Sequence, residues 1–154
     1  MIPECEHFKT RELIDPDILK VLSDNACMRL IGHEVTRLLD RLRCDYEGAV
    51  RAIGLYQTRY DIIININGYC YDRLFKHSGL RSKDCKEGAE DSRHKDGNVF
   101  DLQCKHIKIL LFLIEEYNEQ YGVYKIENPN LTTPRGYIHA EFGDTLEELQ
   151  IFNP

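Results

Sequence analysis

At Tyr60 the spacing of apolar residues along this chain changes period, and that change decides its class. Upstream, Cys27, Leu30, Ile31, Val35, Leu38, Leu39 and Leu42 follow intervals of three and four, which predicts an amphipathic helix of about five turns beginning after Asp24. A shorter helical run, D-I-L-K-V-L, precedes it behind Asp15 and Pro16, and a weaker one spans Glu47 to about Tyr56, interrupted by Gly48 and Gly54. From Tyr60 the segment Y-D-I-I-I-N-I-N-G-Y alternates instead, with Ile62, Ile64 and Ile66 on one side and Ile63, Asn65 and Asn67 on the other, so a strand with a buried face is expected.

The alternation then stops. From about Tyr71 to Gly97 the chain is polar and aperiodic, and a loop of that length in a compact domain is usually functional. N-V-F-D-L-Q reads as a short strand, Lys105 to Tyr121 as a helix ending near Gly122, and V-Y-K-I-E and G-Y-I-H-A-E-F as strands separated by the turn-forming N-P-N-L-T-T-P-R. The tail E-L-Q-I-F-N-P offers one further strand. The prediction is an α+β fold, with amino-terminal helices packed on a small, mostly antiparallel sheet.

The 154 residues make one domain, 1–154, and 42% apolar with 30% charged residues is ordinary for a globular protein. Folding at this length removes roughly two thirds of the chain's surface from water, so a metal is not needed to hold the fold and would be present for chemistry. The net charge of -6 has the wrong sign for neutralising phosphates, which argues against nucleic acid as a partner. The longest apolar runs, Ile62 to Ile64 and Ile109 to Ile114, are far too short to span a bilayer. The opening M-I-P-E-C-E-H-F-K has no apolar signal-peptide region, so synthesis in the cytoplasm without a signal peptide is expected. The six cysteines show no C-x-x-C spacing and read as reduced thiols.

His7, His33, His77 and His106 lack an acidic or cysteine partner at a metal-like spacing and read as surface or helix histidines. His94 and His139 differ. In S-R-H-K-D-G-N-V-F-D, His94 precedes a glycine-containing turn, and Asp101 follows seven positions later on a strand, on the same side as Val99. His139 shares a strand face with Glu141. If the two strands are neighbours, His94, Asp101 and His139 supply two nitrogens and one oxygen, and three protein ligands with a fourth position left for water is the pattern of a catalytic zinc site.

The motif S-x-H-x-x-G-x-x-x-D (Ser92, His94, Gly97, Asp101), followed by an aromatic-aliphatic-His-x-acid segment (Tyr137, Ile138, His139, Glu141), resembles the zinc D-alanyl-D-alanine carboxypeptidase family. That family also contains phage L-alanyl-D-glutamate endolysins and shares its fold with the hedgehog signalling domain. S-G-L-R-S, Ser78 to Ser82, is similar to a family segment whose arginine holds a substrate carboxylate or carbonyl, a role that would fall to Arg81 with Ser92 alongside in substrate binding. E-H-F-K-T-R-E-L and I-E-N-P-N-L-T-T-P-R-G-Y-I-H extend the likeness, the latter towards the phage-associated branch. Val99 replaces the usual alanine. Many members carry an acidic general base three residues before the last histidine, where this chain has Gly136, so the motif leaves two carboxylates for that role, Glu141 and Glu127.

The resemblance implies a Zn²⁺-dependent peptidase acting on a peptidoglycan stem peptide, as a D,D-carboxypeptidase or an endolysin, made in the cytoplasm and released to the wall at lysis if phage-encoded. The alternative is a non-catalytic peptidoglycan-binding or virion structural module that keeps the same fold and metal.

Overall fold

The computed structural model describes residues 7–8, 33–66, 99–143 and 148–154. The helical run behind Asp15, the beginning of the next helix, and the aperiodic 71–97 segment lie outside the described residues, and so do Arg81, Ser92 and His94.

The α+β expectation is met. A helix α1 (His33–Ile53) leads through a 3-10 turn (Arg59–Ile62) into β1 (Ile64–Ile66). After it come β2 (Val99–Cys104), α2 (Ile107–Tyr121), β3 (Val123–Glu127), the single turn α3 (Pro129–Thr132) with a 3-10 turn (Thr133–Arg135), β4 (Ile138–Phe142) and β5 (Gln150–Phe152). The strands form one sheet in the order β1-β2-β4-β3-β5, antiparallel at every pairing except β3 with β5. Among the described residues no helix is long and apolar enough to cross a membrane, and Cys44 and Cys104 carry no disulfide.

Two helical segments were expected where the structure has one. Leu39, Leu42, Tyr46 and Val50 are buried at intervals of three and four, so the apolar stripe runs unbroken through the polar stretch after Leu42. Gly48 lies on the open side, with nothing near its missing side chain, and its intrinsic cost of roughly 1 kcal/mol does not outweigh that burial. The helix stops at Gly54, which takes φ +84 and donates its N–H to the Arg51 carbonyl.

The strand expected from Tyr60 starts later, because Asp61 organises a turn first. Its Oδ2 accepts the backbone N–H groups of Gln57 and Thr58, both at 2.9 Å, and its Oδ1 meets Lys105 Nζ at 2.7 Å and His106 Nε2 at 3.2 Å. Tyr46 donates to the Asp61 carbonyl and accepts from the His106 N–H, tying α1 to the start of α2. His106 is therefore part of a buried polar cluster rather than a simple helix-surface histidine. The Lys105 ammonium, then the Thr58 and Gln57 amides, hold the Asp61 carboxyl well below the usual carboxylate range, against the opposing effect of burial. A depressed folded value stabilises the fold above the unfolded pKa near 3.9, and that stabilisation is lost as pH falls further. Asp61→Asn should lower Tm at neutral pH and flatten the loss of stability below about pH 4, measured by thermal melts across pH; an acid limb identical to the wild type would contradict this role.

On α2, Leu110, Leu113, Ile114 and Tyr121 face the core. Tyr117, where the backbone leaves helical geometry at φ -127, is 44% exposed. Gly122 ends the helix at φ +62, and a side chain built there would meet Leu38 Cδ1 at 2.6 Å. Gly122→Ala should cost about 1–2 kcal/mol from left-handed strain, before any displacement of Leu38, measurable by denaturant unfolding.

One sheet face carries Ile64, Ile66, Phe100, Leu102, Ile126, Ile138, Ala140 and Phe142, all in the main hydrophobic core. The opposite face carries the candidate site.

Candidate functional site

Strand alternation builds this face. On β2 and β4 the registered pairs are Val99 with Glu141, Phe100 with Ala140, Asp101 with His139, and Leu102 with Ile138. Because Phe100, Leu102, Ile138 and Ala140 are in the core, Asp101, His139 and Glu141 stand together on the other side. The condition set by the sequence, that the two strands be neighbours, is satisfied.

Asp101 Oδ1 lies 3.0 Å from His139 Nδ1. Two ligands bound about 2.0–2.2 Å from a tetrahedral zinc would be roughly 3.4 Å apart, so this oxygen and nitrogen already stand within a few tenths of an ångström of that spacing. The far nitrogen, Nε2, is 3.9 Å from Glu141 Oε1, longer than a hydrogen bond but within ion-pair range. Glu141 is only 1% exposed. A carboxylate at the far nitrogen of a metal-ligating histidine is the usual device for fixing its tautomer and ring orientation. Burial disfavours the imidazolium of His139, yet the hydrogen bond and charge of Asp101, followed by the charges of Glu127 and Glu141, more than offset it and raise the pKa above the ordinary histidine value. The carboxylates of Asp101, Glu127 and Glu141 thus make this face favour a positive charge at His139.

Glu127 reaches the same face from β3. Its charge acts on His139 and also on Tyr137, whose phenol is raised first by burial and then by Glu127 and Asp101. Gly136 takes φ +86, a conformation that side chains rarely adopt. An acidic side chain at that position would be strained.

The structure thus brings together Asp101, His139, Glu141 and Glu127, whereas Arg81, Ser92 and His94 lie outside the described residues. Among the described residues no three His, Cys, Asp or Glu side chains are arranged to hold a metal ion. Asp101 and His139 fit two positions of the expected zinc set, and the third would be His94.

Two neighbours of the site were not foreseen. The Phe152 ring meets the His139 imidazole edge-on, with centroids 5.5 Å apart, and Lys125 Nζ lies 4.9 Å from the centre of the Phe152 ring. Phe152 arrives through the parallel pairing of β5 with β3, which sets it beside Glu127. No local pattern encodes such a pairing. Lys125 is turned to this face by a register shift between β3 and β4, which the sequence of β3 alone does not specify.

Comparison with known proteins returns no matching family model, no matching curated protein and no matching solved structure.

Proposed function

We propose that this chain is a zinc metallopeptidase that hydrolyses peptide bonds of bacterial cell-wall peptidoglycan, as a D,D-carboxypeptidase or an endolysin-type endopeptidase. The observation that carries the reading is the cross-strand pairing of Asp101 with His139 at 3.0 Å, which brings together two residues that the motif marks as metal ligands and that are far apart in the chain.

In this reading His94, Asp101 and His139 hold the zinc. When bound, the ion supplies Lewis acidity and brings the pKa of a water from 15.7 to about 7. Glu141, buried against Nε2, keeps the His139 ring in place. Glu127, on the same face but not set against Nε2, takes the proton of the attacking water and returns it to the leaving amine. Arg81 and Ser92 hold the substrate, the guanidinium presenting its paired donors to a carboxylate or carbonyl. Synthesis in the cytoplasm of a bacterium, from a phage or prophage gene, with release at lysis, suits an endolysin.

A second reading, a non-catalytic peptidoglycan-binding or virion module, is favoured by the left-handed Gly136 at the family's usual base position. The two separate in one assay. Zinc-loaded protein incubated with muropeptides should release new amino groups. No cleavage between about pH 6 and 9, a range bracketing the activated water, with one zinc bound, would overturn the enzymatic reading and leave the binding one.

A further inference from the structure

Lys125 is placed on the site face by an irregularity in the sheet. Between β3 and β4, Val123 pairs with Phe142 and Lys125 with Glu141, so two residues advance on β3 for one on β4. Simple alternation would put Lys125 on the side of Val123, which is buried in the core. The bulge instead leaves Val123 and Ile126 inside and turns Lys125 and Glu127 towards His139 and Glu141. Bulges commonly re-aim a side chain beside an active site.

A lysine turned into a face bearing Asp101, Glu127 and Glu141 would be expected to pair with one of them. It does not: Lys125 forms no ion pair with a described residue, and its ammonium lies over the Phe152 ring. That ring adjoins the His139 imidazole. Imidazole, phenyl ring and ammonium thus follow one another across roughly 10 Å at most, the reach of about three extended peptide residues.

We propose that Lys125, seated on Phe152, is a specificity determinant that binds a free carboxylate of the substrate within about three residues of the scissile bond. This inference rests on the peptidase reading and adds to it a second anion-binding point, on β3 beside the motif strand β4 and independent of Arg81. Phe152 serves as the platform: the cation over its face gives up little hydration, so the ammonium remains available to an incoming carboxylate. A stem peptide offers two such groups, the α-carboxylate of its D-glutamate and its terminal carboxylate.

The test uses the zinc-loaded full chain and the peptide L-Ala-D-γ-Glu-L-Lys-D-Ala-D-Ala in three forms: both carboxylates free, the glutamate α-carboxylate amidated, and the terminal carboxylate amidated. The wild type should prefer a free carboxylate at one of the two positions, and the arm in which amidation matters identifies which. Lys125→Met should raise KM for the free peptide about tenfold or more, with kcat within about twofold, and should treat free and amidated forms alike. Lys125→Arg should recover part of the preference. A Lys125→Met protein that retains the wild-type preference, or a wild type indifferent to both amidations, overturns the proposal. If the zinc-loaded protein cleaves no form, the peptidase reading fails, and the subsite is decided by NMR titration with the same peptides. Shifts of the Lys125 ammonium and Phe152 ring signals at lower concentrations of the free than of the amidated form support it, and equal or absent shifts refute it.

Discussion

His139→Ala protein should bind zinc more weakly than the wild type by over about 100-fold and should release nothing from muropeptides, while keeping its secondary structure. The expected size follows from position. Loss of an outer partner of a metal ligand costs about 10–100-fold in affinity, and loss of a ligand itself should exceed that. The fold should survive, because His139 points away from the face packed with Phe100, Leu102, Ile138 and Ala140. Zinc at 100 times its dissociation constant stabilises a folded chain by about 2.7 kcal/mol, so the wild type should show a zinc-dependent rise in Tm that the variant lacks. Asp101→Asn should behave alike. Isothermal titration and thermal melts, with and without zinc, check both.

Glu127→Gln should retain one zinc and lose about 10²–10⁴ in kcat, the usual contribution of a positioned general acid-base group. Glu141→Gln should show the complementary defect, with zinc affinity down about 10–100-fold and turnover largely restored at saturating zinc. The asymmetry comes from geometry. Glu141 is buried 3.9 Å from Nε2, placed to steady the ring. Glu127 belongs to β3, which approaches the face from the side of Phe152. If Glu141→Gln instead abolished turnover with zinc affinity intact, the two roles would be exchanged.

The parts of this molecule that could be read from sequence are those set by local periodicity. Val123–Glu127 was legible as a strand to the residue, and Ile107–Tyr121 stops at the glycine expected to stop it. That the strands of Asp101 and His139 be neighbours was the condition set by the sequence, whereas the register that pairs the two residues is a property of the folded sheet. What local pattern missed depends on contacts made across the fold. Tyr46 is fully buried and continues the stripe of α1 past Leu42, in the gap left between the two helical runs read from the apolar spacing. Asp61 looked like a polar residue in a strand, and its turn exists because Lys105 and His106, over forty positions away, share its carboxylate. The bulge that re-aims Lys125 and the parallel arrival of Phe152 are properties of strand pairing, invisible to a single strand's sequence.

X-ray absorption at the zinc edge of the zinc-loaded protein tests the central claim most directly. Two imidazole nitrogens at about 2.0–2.1 Å and a carboxylate oxygen at about 2.0–2.2 Å in a four-coordinate shell, changed in His94→Ala, Asp101→Ala and His139→Ala proteins alike, is the predicted result. A shell containing thiolate sulfur at about 2.3 Å, or one indifferent to those three substitutions, would contradict it.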